Sequence, residues 1–451
     1  MELGRDLEGL LVRRGEAGYE ALRAAAVWNG LKPERFPDVI VQAASERDVR
    51  TAVRFARSAG MRVAVRAGGH NWVGASVRDG GMLIDLSRLD AYAVDTASAT
   101  ASAQPAARGR DLAAALAEHG LAFPVGHCGS VALGGYLLSG GLGWNPGVWG
   151  PACLSVAEIE AVTAAGEVVR CSEDENADLF WAARGAGPGF FAVVTRFRLC
   201  LRRLPAAITT SAYVFPLTDV ADVTSWAVEV AASLPPAVEL SIMLGTAPQE
   251  PGTKAIVVTA TCFADSADEA ARSLEAFRAC PLAGRAPARS AEQPATFDDL
   301  FDGSGALWPE RHRVAADTLW SMEDLGALLP LLADDVARAP SGKSLVLANI
   351  SPPPPGGAAM PDMAFSMLGR SYVVGYAIWQ DPAHDQVNLR WLREAMGKVE
   401  PLGVGHYIAE ADLPAAPSRS RRSFTPDTWE RLQAVRARWD PEGVFQPYLQ
   451  A

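Results

Sequence analysis

Between Val125 and Gly150 the chain reads VGHCGSVALGGYLLSGGLGWNPGVWG, so that Gly126, Gly129, Gly134, Gly135, Gly140, Gly141 and Gly143 crowd one short span. That is too many glycines for a helix or strand whose only task is to bury one face. Clustered glycines let backbone N–H groups approach a ligand closely, and such amides can donate to anionic oxygens without help from a charged side chain. The pattern suits a large cofactor that carries a pyrophosphate. Within it, His127-Cys128 is flanked by Gly126 and Gly129.

An earlier stretch matches it. Met61 to Val65 reads as a strand that runs into Arg66-Ala67-Gly68-Gly69-His70-Asn71-Trp72-Val73-Gly74, a glycine turn presenting His70. By residue type alone, His70 fits a turn or a satisfied core position, and Cys128 fits a small buried hydrophobe.

Taken together, RAGGHNWVG and GHCGSVALGG resemble the two flavin-attachment motifs of the FAD-linked oxidases related to berberine bridge enzyme and vanillyl-alcohol oxidase, the PCMH-type family. The resemblance is strong over residues 35–200 and in the C-terminal tail, and looser between about 205 and 360. It implies an α+β protein: a two-part PCMH-type FAD-binding domain over residues 1–204, a substrate-binding domain over 205–410 with an antiparallel sheet covered by helices, and a segment over 411–451 that returns to the FAD domain. In that family the histidine bonds the 8α-methyl of the isoalloxazine and the cysteine bonds C6, so a match at His70 and Cys128 implies a bicovalent FAD. By the same match the cofactor-binding set is Arg66, Ala67, Gly68, Gly69, His70, Asn71, Gly74, Gly126, His127, Cys128, Gly129, Val131, Gly134, Gly135, Gly140, Gly141, Gly143, Trp144, Val194 and Tyr407.

The resemblance also implies a reaction: hydride removal from an alcohol, sugar or secondary-metabolite C–H bond, with O2 taking the electrons and giving H2O2. Two other readings stand beside it, a dehydrogenase with another acceptor and a flavin-carrying binding protein without turnover. A hydride leaves most easily when a neighbouring O–H or N–H gives up its proton, so a base is required. Relatives commonly supply a tyrosine from a Tyr-x-Asn-Tyr string, where this chain has Tyr407-Ile408-Ala409-Glu410. Tyr407 keeps the first aromatic, Ala409 replaces the asparagine, and Glu410 stands in place of the second tyrosine. A carboxylate desolvated beside a flavin can serve as base. The alternative is a solvated or ion-paired acid at a domain junction. Tyr136 and Tyr372 are lesser candidates for the base.

The resemblance implies a small-molecule substrate and O2 as partners, and composition argues against others. The 451 residues are long for a single core, and a net charge of −11 with no basic, aromatic-interleaved run argues against nucleic acid. Arg419 to Arg422 reads as a solvated loop. No apolar run reaches the ~18 residues of a membrane span, and the acidic opening MELGRDLEGLLVRRGEAGYE has no apolar signal core, which predicts a cytoplasmic protein. The cysteines at 128, 153, 171, 200, 262 and 280 lack CxxC spacing, which disfavours zinc and suits reduced thiols.

In chain order, the sequence predicts a mostly helical opening, a strand at Asp38 to Val41, and a helix that starts at Ser45, has Asp48 three residues later, and is stopped by Gly60. Strands follow at 61–65 and 82–86, a helix at Arg110 to His119, and a hairpin of Val156 to Thr163 with Glu167 to Cys171 about Gly166. Beyond Pro205, strands at 209–215, 240–244, 255–262 and 373–379 alternate with helical segments such as Ser266 to Cys280. A last helix is stopped by Asp440-Pro441. Gly185-Ala186-Gly187-Pro188-Gly189 lacks the full dinucleotide fingerprint, and Ser341-Gly342-Lys343-Ser344 lacks the first glycine of a phosphate loop, so both read as turns.

Overall fold

A computed structural model describes residues 7–352, 354–357, 359–416 and 418–449. The first sheet holds Val39–Gln42, Met82–Asp85 and Val63–Arg66 in parallel, with Leu10–Arg13 antiparallel at its edge. The second is antiparallel, in the order Tyr92–Asp95, Thr100–Ala103, Val193–Cys200, Val156–Val162, Val168–Cys171. Between them lies one core, to which the helix Glu46–Ser58 contributes Val49, Ala52, Val53 and Ala56. That helix starts where the sequence predicts, with the Ser45 hydroxyl accepting from Asp48 N–H at 3.3 Å.

The opening departs from expectation. Gly15 and Gly18 both have positive φ, and they separate a strand, Leu10–Arg13, from a short helix, Tyr19–Ala25. The strand forms because its backbone pairs with Val39–Gln42, a long-range partner that local helix propensity does not report. Likewise the predicted helix from Ser266 to Cys280 is two pieces, Ala267–Ser273 and Glu275–Arg278, broken at buried Leu274.

The third large sheet has eight antiparallel strands in the order Ala288–Ala295, Ala207–Pro216, Lys254–Ala264, Val238–Thr246, Leu345–Ile350, Ser371–Trp379, Arg313–Ser321, Gly403–Gly405. Side chains alternate across a strand, and here both faces are used. From Ser371–Trp379, Val373, Ala377 and Trp379 pack with the helices Val220–Ala231, Leu325–Ala337 and Asp385–Val399. Tyr372, Val374, Tyr376 and Ile378 face the opposite way, into an aromatic cluster with Trp72, Trp308, Trp320 and Tyr407. The sheet therefore has one face for stability and one for a site.

The tail closes the structure. Helix Pro426–Trp439 ends at Asp440, whose carboxylate accepts from the N–H groups of Val444 (2.6 Å) and Phe445 (3.0 Å). This turn lays the chain along the first sheet, where Val63 N–H donates to Val444 O at 2.7 Å and Gln446 N–H to Val63 O at 2.8 Å. Among the described residues no helix is long and apolar enough to cross a membrane.

Candidate active site

A cavity of about 860 Å³ lies between the two glycine-bearing loops, the tail and the aromatic face of the eight-stranded sheet. Of the predicted cofactor-binding residues, Arg66, Ala67, Gly68, Gly69, His70, Asn71, Gly126, His127, Cys128, Val131, Gly134, Gly135, Gly143, Trp144, Val194 and Tyr407 line it. Gly74, Gly129, Gly140 and Gly141 do not. Side-chain atoms crowd the space that a Cβ at these four would take: Pro33 at Gly74, Arg110 at Gly129, Phe365 at Gly140 and Ala152 at Gly141. Their smallness serves loop packing.

Gly135 is different, because a Cβ there would meet nothing within 4 Å and the residue is exposed on the cavity wall, in the first turn of helix Leu133–Leu138. This open cradle beside backbone N–H groups fits a bulky anionic cofactor. At neighbouring Gly134 a Cβ would lie 2.8 Å from Ala67 Cβ and 2.9 Å from Pro105 Cβ. Gly135→Leu is therefore expected to abolish flavin loading with little change in Tm, whereas Gly134→Ala should destabilise the fold by about 1–3 kcal/mol. Flavin absorbance per protein and thermal melts check both.

His70 is presented by a turn that only glycine fits, since Gly69 has φ of +70° and a Cβ there would lie 2.3 Å from Ala26 O. Its ring stacks on Trp28 with centroids 4.3 Å apart, and its Nε2 lies 2.9 Å from Ser130 Oγ. Burial pushes its pKa down to about 4, so the imidazole is neutral at physiological pH and keeps one unprotonated ring nitrogen. Cys128, on the other loop, is pushed up to about 12, by burial first and then by the negative charge of Glu410. His127 faces Glu239 across 2.8 Å and meets Trp144 edge-on at 4.2 Å, which ties the cysteine loop to strand Val238–Thr246.

Glu410 follows the edge strand Gly403–Gly405 in a turn closed by its own N–H to Tyr407 O at 3.1 Å. Its Oε1 accepts from Trp72 Nε1 (3.1 Å) and Tyr376 OH (2.9 Å), and its Oε2 from Tyr372 OH (2.7 Å). Asn71 joins this turn to the histidine loop by donating to Ala409 O at 2.8 Å. Burial, then the charge of Glu410, raises Tyr372, Tyr376 and Tyr407 above the ordinary phenol range, and the backbone N–H groups of Leu142 and Gly141 pull Tyr407 partly back. All three phenols stay protonated at neutral pH; Tyr372 and Tyr376 donate to Glu410, while the Tyr407 oxygen accepts from backbone N–H groups. Tyr136 also lines the cavity, and its hydroxyl donates to Pro124 O at 2.8 Å.

Behind the turn, His406 is fully buried, with Nδ1 2.7 Å from Thr318 O and Nε2 3.4 Å from Glu400. Arg419 pairs with Asp317, and Arg422 with Glu400. The cluster read from sequence as a solvated loop is thus partly an ion-pair network that holds the segment carrying Tyr407 and Glu410. Glu400 is held down at about 2, by His406 first and then by Arg419 and Arg422, against burial. A carboxyl depressed on folding stabilises the fold above its unfolded pKa of about 4.5, and that contribution is lost as pH falls through the folded value. Stability should drop between pH ~4.5 and ~2, and Glu400→Gln should flatten that part of the Tm–pH curve.

Tyr376, Trp28 and Ser130 are site residues that the motifs alone do not single out. A signal for Tyr376 exists in the two-residue spacing of Tyr372, Val374 and Tyr376, which puts both tyrosines on one strand face. Trp28 and Ser130 carry no such mark.

Residues 37–172 match the family described as FAD binding domain. The chain is 33% identical over 433 residues to the FAD-linked oxidoreductase nodO of Hypoxylon pulicicidum, covering 94% of this chain and 93% of that protein. It is 36% identical over 199 residues, 44% of its own length and 43% of the relative's, to (R)-6-hydroxynicotine oxidase of Paenarthrobacter nicotinovorans. The crystal structure of 6-hydroxy-D-nicotine oxidase from Arthrobacter nicotinovorans superimposes with a TM-score of 0.85 at 23% identity, covering 99% of this chain and 98% of that one. The chain belongs to the FAD-linked oxidoreductases of the berberine-bridge-enzyme-like, PCMH-type family. FAD is the cofactor that this membership implies, and FAD-dependent oxidoreduction is the activity.

Proposed function

We propose that this chain is a flavin oxidase in which His70 and Cys128 tether FAD, Glu410 takes the substrate's proton, and O2 receives the electrons as H2O2. In this reading residues 1–204 and 411–451 form the FAD module and 205–410 the substrate module. The observation that carries it is Glu410: a carboxylate on the cavity wall, held by three neutral donors, Trp72, Tyr372 and Tyr376. Because those phenols and Tyr407 stay protonated, Glu410 is the acceptor among them. When bound, FAD supplies a two-electron hydride acceptor that O2 can reoxidise.

The chain's own residues then have separable tasks. His70 and Cys128 fix the ring's position from two loops. Asn71 couples the histidine loop to the Glu410 turn, so the base and the attachment point move as one unit. Trp72, Tyr372 and Tyr376 aim the carboxylate, and Tyr407 offers a hydroxyl to the substrate. The sheet's aromatic face excludes water. The relative named as an oxidase, (R)-6-hydroxynicotine oxidase, supports O2 as acceptor. Aerobic turnover of any substrate that bleaches the flavin should yield one H2O2 per product without added nicotinamide cofactor. Reduced protein that stays reduced in air would sink the oxidase reading in favour of a dehydrogenase. A flavin that no member of an alcohol, sugar and amine panel bleaches would favour a binding protein.

A further inference from the structure

The glycine-rich segment is a loop with a closed neck, where Trp144 N–H donates to Val125 O at 3.2 Å. Glu239 spans that neck from strand Val238–Thr246 of the eight-stranded sheet. Its Oε1 lies 2.8 Å from His127 Nε2, and its Oε2 accepts from Asn145 N–H at 3.2 Å. One carboxylate thus holds the segment both where it enters the loop and where it leaves. The Glu239 side chain is 9% exposed, so water competes little for these bonds, and the His127 ring adds an edge contact with Trp144 at 4.2 Å. Just past the neck, Gly147 runs so close to the turn before the strand that a Cβ there would lie 2.2 Å from Pro236 O. The neck is seated on the sheet.

Cys128 follows His127 directly. Beyond it, Gly129 O accepts from Arg110 N–H at 3.0 Å, and Cys128 O accepts from Val131 N–H at 3.1 Å. The thiol therefore rides on a short turn with an anchor on each side, Arg110 after it and His127 with Glu239 before it. His70 is carried by another loop, which the stack on Trp28 and the Asn71 bond to Ala409 O hold in place. Its hydrogen bond to the cysteine turn, at Ser130, lies past the Arg110 anchor. Among the described residues, Glu239 bonds to the approach to Cys128 and to nothing on the His70 loop.

We infer that Glu239 is a positioning residue for the cysteine link: by seating His127 on the sheet it sets where the Cys128 sulfur is presented, so the second link needs a docked loop and the first does not. This rests on the two-link attachment proposed above and deepens it. Forming the cysteine link replaces the Cys128 S–H and the ring C6–H by one S–C bond, and the two protons and two electrons released convert O2 to H2O2. Glu239 enters none of these bonds. Its charge does not carry the effect either, because Cys128 is held as a thiol by burial and then by Glu410. A further carboxylate acting through charge would disfavour the thiolate, so its removal would speed the link. Placement predicts the opposite sign, since about 1 Å of misplacement can cost roughly a hundredfold in rate.

The test mixes flavin-free protein with FAD in air, quenches timed samples in acid, and weighs digests for flavin on the His70 and Cys128 peptides. In Glu239→Ala the cysteine link should form roughly tenfold or more slowly, while the histidine link keeps its parental rate. His127→Phe keeps a ring against Trp144 and loses the bond to Glu239, and it should show the same split. Equal slowing of both links in the two variants overturns the inference, because Glu239 and His127 would then serve the fold at large. So does a cysteine link that keeps or exceeds its parental rate in both. The parent protein is read first: no flavin on its Cys128 peptide removes the two-link reading and this inference with it, whereas flavin on both peptides with the variants unchanged removes only the role of Glu239.

Discussion

Glu410→Gln is expected to slow flavin reduction by roughly a hundredfold or more while largely preserving substrate binding. The amide keeps one acceptor oxygen, which can still serve Trp72 and Tyr376, and its NH2 group can donate to the Tyr372 oxygen. Shape and hydrogen bonding are thus conserved while basicity is removed. Tyr407→Phe should stay much nearer the parental rate, because a buried phenol raised further by a neighbouring carboxylate does not ionise at neutral pH. Rapid mixing under anaerobic conditions gives the reduction rate directly. A parental rate in Glu410→Gln together with a slow Tyr407→Phe would reverse the two roles. Equal losses would mean that they act as one hydrogen-bonded unit, whose single replacements cannot be apportioned.

The second large effect concerns attachment. Protein precipitated in acid and washed should remain yellow, His70→Ala and Cys128→Ala should each keep one link, and only the double variant should release its flavin to the supernatant. Colour lost from the parent protein on washing would sink the covalent reading. The two links should also form at different speeds. His70 is neutral with a lone pair at physiological pH, whereas Cys128, pushed up to about 12, is almost wholly a thiol. On reconstitution the histidine link is expected first, with the cysteine link accelerating as pH rises. Mass spectrometry of peptides taken through the time course resolves the order.

Much of this site is legible in the sequence because it sits in local patterns. The histidine turn needs Gly69 at positive φ, and the Ser45 cap and the Asp440 stop are written within a few residues of where they act. Glu410 is visible as a departure from a familiar string. What the sequence hides is made by distance in the chain. The strand Leu10–Arg13 exists through its pairing with Val39–Gln42, and the donors to Glu410 come from positions 72, 372 and 376. The glycines divide in the same manner: Gly135 and Gly140 look alike in GGYLLSGG, yet one opens on the cavity and the other packs against Phe365, which is more than two hundred residues away.

The two-faced sheet has a consequence for how such a protein can change. On Ser371–Trp379 the even positions Tyr372, Val374 and Tyr376 border the cavity while Val373, Ala377 and Trp379 anchor the helices, and on Leu345–Ile350 Leu347 and Asn349 border the cavity while Val346 and Ala348 anchor them. Mutations at alternate codons therefore fall on different tasks. A lineage, or a randomised library, that varies only the cavity-side positions can sample new substrates without spending the stability stored beneath them, and single-step drift in specificity becomes accessible to a fold whose other face stays fixed.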